Sequence, residues 1–321
     1  MLHCGHLSLC TIPAYSIVAA RRPTRVSDSL KQMRSGISTH VFLPQRLTPT
    51  LLDALRASGV GQIEVFASRH HIDYTDRGAV RELANWFRSN DVIASLHMPL
   101  FSVDDEASWS KHTAASLNLI HAAKAERIAA MDEVKRALEM AEQVPLTSMV
   151  LHLGLNEEHW DTRALDDALT AVEHLKAFAG PLGVKLLLEN LNNDVATPEH
   201  LVEIVRVGHF DSVGFCLDLG HAHLAEAIPE SSHAPAQSGV AQAFAAFGDK
   251  LSELHVHDNH GVRDEHLWPG EGSIDFPEVD ALIGAMKNKP VGVLEIAHEL
   301  GYETAGVTKR AAKAAEIMAG L

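Results

Sequence analysis

The chain has 321 residues, 46% of them hydrophobic and 21% charged, with a formal net charge of −15 and a pI near 5.7. That balance fits a globular protein with a sizeable core and disfavours one that grips nucleic acid mainly by neutralising phosphates. No apolar run reaches the roughly 20 residues needed to cross a bilayer, and Cys4, Cys10 and Cys216 are too few and too scattered for a disulfide framework, so a reducing, cytoplasmic setting is expected.

Residues 1–36 show neither a helical nor a strand period and are read as a disordered N-terminal extension, with MRSGISTHVF suggesting a natural start at Met33. The segment LCTIPAYSIVAARRP could be mistaken for a secretory leader, but its arginines follow the apolar part and Pro13 interrupts it, so none is expected here. His3, Cys4, His6 and Cys10 have no second ligand pair at zinc-finger spacing, so they are read as incidental. From Ile37 onward, short β-branched or leucine-rich runs alternate with longer amphipathic stretches. The runs predict strands over 37–43, 62–67, 92–97, 149–154, 184–190, 213–220, 251–258 and 291–296. Helical patterns lie between them, among them LTPTLLDALRASG, with Thr48 or Thr50 as its cap, and EVKRALEMAEQVP.

Eight strands separated by helices predict an α/β fold, a closed (β/α)8 TIM barrel forming one domain over 37–321. The competing open, doubly wound sheet would carry a glycine-rich turn after its first strand, and VFLPQRLTP has none. The longer connections, about 98–125 and 222–240, are candidate lids or substrate-shaping insertions.

Successive apolar runs end in metal-type residues: His97, His152, Glu189, Asp218, His255 and Glu295. In a barrel, the carboxyl ends of the strands converge on one axis. Carboxylates gathered there repel one another unless protons or a cation offset the charge, so a divalent metal ion is implied, with Mn²⁺, Zn²⁺, Mg²⁺ and Co²⁺ all suited to His and carboxylate donors. Glu189 and Glu295 each follow three or more apolar residues, where an unpaired carboxylate is costly. Asp218 either binds metal or caps the next helix. His255 and His257 share a strand face, and His255 is taken as the ligand with His257 beside it. His97 and His152 read either as rim polar residues or as members of the site; His221, Asp264 and His266 are loop candidates. Glu64, His40, His70 and His71 close no apolar run and carry less signal. In WPGEGSIDF, Pro269, Gly270 and Gly272 predict a tight backbone path near the site, after which Asp275 and Pro277 open a helix.

The ordered segments SLHMP, VLHLG, LLLEN, CLDLGHAH, LHVHDN, DEHLWPGEGSIDF and VLEI resemble those of the xylose isomerase-like TIM barrels, over Ile37 to Met318. That superfamily joins sugar isomerases and epimerases with the endonuclease IV (AP endonuclease family 2) nucleases. The epimerase resemblance implies one divalent metal held by Glu189, Asp218, His255 and Glu295, with Glu189 and Glu295 as the catalytic acid and base. The substrate would be a small carbohydrate (a sugar, a sugar phosphate or a polyol-derived ketone) reacting through an enediolate, with His97, His152, His221, Asp264 and His266 contacting it. Arg263 is a displaced candidate for the arginine that ketose 3-epimerases place after the seventh-strand histidine. The endonuclease IV resemblance implies instead three zinc ions held by all nine of these residues, His97, His152, Glu189, Asp218, His221, His255, Asp264, His266 and Glu295. Against a DNA substrate stand the acidic charge and the lack of an evident basic and aromatic loop. A barrel that binds without turnover is the third reading.

Overall fold

The β-branched and leucine-rich runs pair side by side, each burying both faces as parallel strands covered by helices do. The computed structural model describes residue 1 and residues 33–110, 113–225, 237–298 and 303–319. Eight parallel strands close in sequence order: β1 Arg34–Ser38, β2 Gln62–Phe66, β3 Ile93–His97, β4 Leu146–Leu151, β5 Lys185–Glu189, β6 Gly214–Asp218, β7 Leu251–Val256 and β8 Val291–Leu294. Closure runs through β1 and β8, from Arg34 opposite Val291 to Ile37 opposite Leu294. The expected (β/α)8 barrel is therefore the observed fold, and residues 32–321 form one compact unit. Among the described residues, no helix is long and apolar enough to cross a membrane.

Several boundaries differ from the sequence pattern, each for a local reason. The first strand, expected over 37–43, runs Arg34–Ser38; the Ser38 hydroxyl then accepts a hydrogen bond from His40 N and turns the chain into a 3₁₀ segment, Thr39–Phe42, which buries Val41 and Phe42. The barrel thus begins inside the stretch expected to be extension, with Met33 already buried. Residues 2–32 of that extension, including His3, Cys4, His6 and Cys10, lie outside the described residues. The fourth strand is Leu146–Leu151 rather than 149–154, because its pairing with β5 ends at Leu151, and His152 follows it. The sixth stops at Asp218 because that residue caps the short helix Leu219–Leu224.

Thr48, not Thr50, caps the helix Pro49–Arg56, its hydroxyl accepting from Leu51 N. Asp275 caps the helix Phe276–Ala285, with Pro277 in its first turn. The 98–125 connection holds a short helix, Val103–Ala107, whose Glu106 is buried and accepts hydrogen bonds from Ser68 Oγ and from the backbone N–H groups of Arg69 and His70. One carboxylate thereby ties this connection to the loop after β2. In the 222–240 connection, residues 226–236 lie outside those described.

Candidate metal centre

Six strands bring their carboxyl ends to one mouth. His97 closes β3, Glu189 closes β5, Asp218 closes β6, His255 stands one residue before the end of β7, and His152 and Glu295 immediately follow β4 and β8. Register sets the neighbours directly, since Asp218 pairs with His255 across β6 and β7. Donor atoms of Glu189, Asp218, His255 and Glu295 all lie within 4.8 Å of one another, and the four side chains are buried. His255 Nδ1 is 2.9 Å from Glu295 Oε2, 3.3 Å from Glu189 Oε1 and 4.0 Å from Asp218 Oδ2. Despite that proximity, this nitrogen makes no aligned hydrogen bond.

Two further donor groups adjoin the first. His97, His152 and Glu189 meet through His97 Nε2 and His152 Nε2, 3.1 Å apart, with His152 Nε2 3.0 Å from Glu189 Oε2. Glu189 therefore turns one oxygen to each of two donor groups. At the rim, His221 Nε2 and His266 Nε2 approach the same oxygen, Asp264 Oδ2, at 3.2 and 2.9 Å. Both rings donate their Nδ1–H to backbone carbonyls, of Asn190 and Glu295. With Nδ1 so used, two Nε2 atoms facing one carboxylate oxygen are either imidazolium donors or nitrogens oriented to bind a cation.

The surrounding shell fixes these orientations. Asp218 Oδ1 accepts from His221 N, and both of its oxygens lie within 3.0 Å of His257 Nε2, so Asp218 is helix cap and cluster member together. Asn190 joins the ends of β5 and β6, donating to Asp218 O and accepting from Asp218 N. His257 stacks on His266 at 3.9 Å between centroids. Gly220 makes room for it, since a Cβ there would sit 2.0 Å from His257 Cε1. Buried Asp258 accepts from four backbone N–H groups, those of Asn259, Gly270, Gly272 and Ile274, and so folds the loop after β7 back over the mouth. Gly272 belongs in that fold, because its Cβ would lie 2.4 Å from Asn259 O.

Electrostatics report how crowded the site is. Burial alone would raise Glu189 and Glu295, yet the neighbouring His255, with His152 for Glu189 and His266 for Glu295, holds both well below the usual carboxylate range. Burial would lower the histidines, but Glu189 carries His97 up to about 9, and Asp218 and Asp264 carry His221 up to about 10. Asp264 and Glu295 likewise carry His266 up to about 10 against its burial. His152 goes the other way, lowered by burial. Without a cation, the cluster thus favours protons on His97, His221, His255 and His266, which is the charge a dication would replace. The unaligned His255 Nδ1 and the carboxylate-rich donor set fit such an ion. Cys216 also reaches Glu189 and His255 from inside the barrel, but burial pushes its thiol well up, so it is a poor thiolate donor.

All nine sequence-selected residues meet at this mouth. Of the others, His40 packs against Phe66 and His266 and is lowered to about 3 by burial, while His70 and His71 turn to the carbonyls of Pro44 and Gln45. Arg263 is exposed and pairs with Glu265, not with the cluster. The sequence reading gave no role to Asn190 or Asp258, although both directly follow metal-type strand ends in LLLEN and HVHDN, and that adjacency is the signal that could have found them.

The family model for xylose isomerase-like TIM barrels matches residues 52–319, and the chain belongs to that family. It is 27% identical over 293 residues to the uncharacterised protein MJ1311 of Methanocaldococcus jannaschii, covering 88% of this chain and 86% of that one. A probable endonuclease 4 of Haloquadratum walsbyi is 25% identical over 210 residues, 61% of this chain and 73% of that protein. Among solved structures, a D-tagatose 3-epimerase-like protein superposes with a TM-score of 0.67 at 23% identity, covering 89% of this chain and 95% of that one. The IolI protein with a bound zinc atom gives 0.67 at 18% identity, covering 89% and 96%. These structural likenesses are likenesses of fold.

Proposed function

We propose that this xylose isomerase-like barrel is a divalent-metal-dependent isomerase or epimerase of a small carbohydrate, working in a reducing, cytoplasmic setting. One observation carries the reading: Glu189 Oε1 and Glu295 Oε2, two buried carboxylates held ionised, flank a single imidazole nitrogen at 3.3 and 2.9 Å. Glu189, Asp218, His255 and Glu295 would hold the metal, which when bound supplies Lewis-acid polarisation of a carbonyl and its adjacent hydroxyl. Glu189 and Glu295 would take and return the proton on the carbon between those groups, the exchange that leads through an enediolate. His97, His152, His221, Asp264 and His266 would hydrogen-bond hydroxyls or a phosphate. The epimerase-like and zinc-bound neighbours agree in kind with this reading. Incubation with candidate ketoses in D₂O tests it: the wild type should wash deuterium into one substrate, and Glu189→Gln and Glu295→Gln should each abolish exchange. Retained exchange in either variant would remove the two-carboxylate mechanism.

A second reading, a zinc phosphodiesterase of the endonuclease IV type, is favoured by the split of Glu189 between two donor groups and by the separate rim group. It requires close to three metal ions per chain and cleavage of an abasic-site oligonucleotide, whereas the isomerase reading requires one metal and no cleavage.

A further inference from the structure

We propose that Glu64, on the inner face of β2, is a positioning residue for the metal centre: it accepts a hydrogen bond from His255 Nε2–H and so aims the Nδ1 lone pair at Glu189, Asp218 and Glu295. The inference rests on the metal-centre reading above. Glu64 Oε2 lies 3.3 Å from His255 Nε2 across the barrel interior, and both side chains are fully buried. A neutral imidazole carries one N–H. Placed on Nδ1, that hydrogen would point at three carboxylates and exclude a cation; placed on Nε2, it needs an acceptor away from bulk solvent, and Glu64 supplies one.

Strand alternation puts Gln62 and Glu64 on one face of β2, and Glu253 and His255 on one face of β7. Gln62 Nε2 donates to Glu253 Oε2 and to Ser95 Oγ, both at 3.0 Å, which engages one oxygen of Glu253 and leaves its Oε1 without an aligned hydrogen bond. The nearest Glu253 oxygen to His255 Nε2 is 3.8 Å away, leaving Glu64 as the partner at hydrogen-bond distance. Stability does not account for Glu64, because its Oε1 makes no aligned hydrogen bond and it lies beside a second buried carboxyl, Glu253, which burial and Glu64 itself push up to about 8; an apolar residue of similar size would avoid that cost. Orientation of a ligand does account for it, since an imidazole that donates its second N–H to a carboxylate is held in one tautomer and binds metal more strongly.

The test compares the full-length wild type with Glu64→Gln, Glu64→Ala and Glu253→Gln. It measures zinc affinity by competition with a chromophoric chelator, the visible absorption of the cobalt-loaded proteins, and the melting temperature of the metal-free proteins. Zinc affinity should fall about 10-fold in Glu64→Gln and about 100-fold in Glu64→Ala, while Glu253→Gln stays within about threefold. The cobalt spectrum should change in the Glu64 variants, and metal-free melting of Glu64→Gln should stay near wild type. Should Glu64→Ala not fold, the isosteric Glu64→Gln decides. Wild-type affinity and spectrum in Glu64→Gln, or an equal loss in Glu253→Gln, would overturn the inference and leave the metal centre standing. A wild-type protein that takes up neither zinc nor cobalt would overturn both.

Discussion

The donor cluster is built in two ways. Glu189, Asp218, His255 and Glu295 stand at strand ends, buried, with their spacing set by the same hydrogen-bonded register that closes the barrel. His221, Asp264 and His266 come instead from the first turn of the helix Leu219–Leu224 and from a loop, and the Asp264 side chain is 31% exposed. His266 also holds φ at 47°, a left-handed conformation that costs a non-glycine residue energy. The loop sustains it through the four backbone contacts of Asp258 and the stack on His257. The fold itself therefore specifies the deep group, while a loop whose sequence can vary independently specifies the rim. On the proposed function, metal binding would belong to the first, and the choice of substrate, or of one metal against three, to the second.

The largest effect should come from the residue shared by two groups. Glu189→Gln should lower turnover by about 10³ or more and weaken metal binding, whereas Asp264→Asn should lower kcat/KM by about tenfold and leave the deep metal in place. Kinetics with metal counting on both variants checks this, and equal losses would erase the distinction between the groups.

Next in size, Asp258→Ala strips the acceptor from four backbone N–H groups and should destabilise the protein by about 3 kcal/mol in denaturant unfolding. The rim should be lost while the strand-held residues still bind a metal; loss of that metal as well would show that the loop, too, shapes the deep group. Gly220→Ala presses on His257 and should cost about 1–3 kcal/mol, with a shift of the His257 imidazole resonances as the local readout.

The last effect is a pH dependence of the metal-free protein. His97, His221 and His266 are raised to about 9, 10 and 10, above the ordinary 6.5. Their stabilising contribution is therefore complete below pH 6.5 and is lost as pH rises through 9 to 10. Metal-free protein should melt at falling temperature across that window, and metal-loaded protein, whose cation has replaced those protons, should change less. Parallel calorimetric scans of the two forms read the difference.

The barrel was legible because leucine-rich and β-branched runs recur between helical stretches, and the deep group because each of its members closes or nearly closes such a run. Boundaries were less legible where a side chain redirects the backbone, as Ser38 does after β1 and Asp218 does after β6. Asp218 also shows why two readings of one residue need not compete, since its cap bond to His221 N leaves its other oxygen beside the cluster. The supporting residues carried little signal because their contacts reach across the chain: Glu64 faces a histidine 191 positions away, and Asp258 gathers backbone groups up to 16 residues on. No periodicity records such pairings.

The central claim is that Glu189, Asp218, His255 and Glu295 share one divalent cation. Diffraction from crystals grown with manganese or zinc, recorded at the metal absorption edge, tests it most directly. The account predicts an anomalous peak at roughly 2.0–2.5 Å from a donor atom of each of the four. Density for metal only elsewhere, or none with the ion in excess, would contradict it.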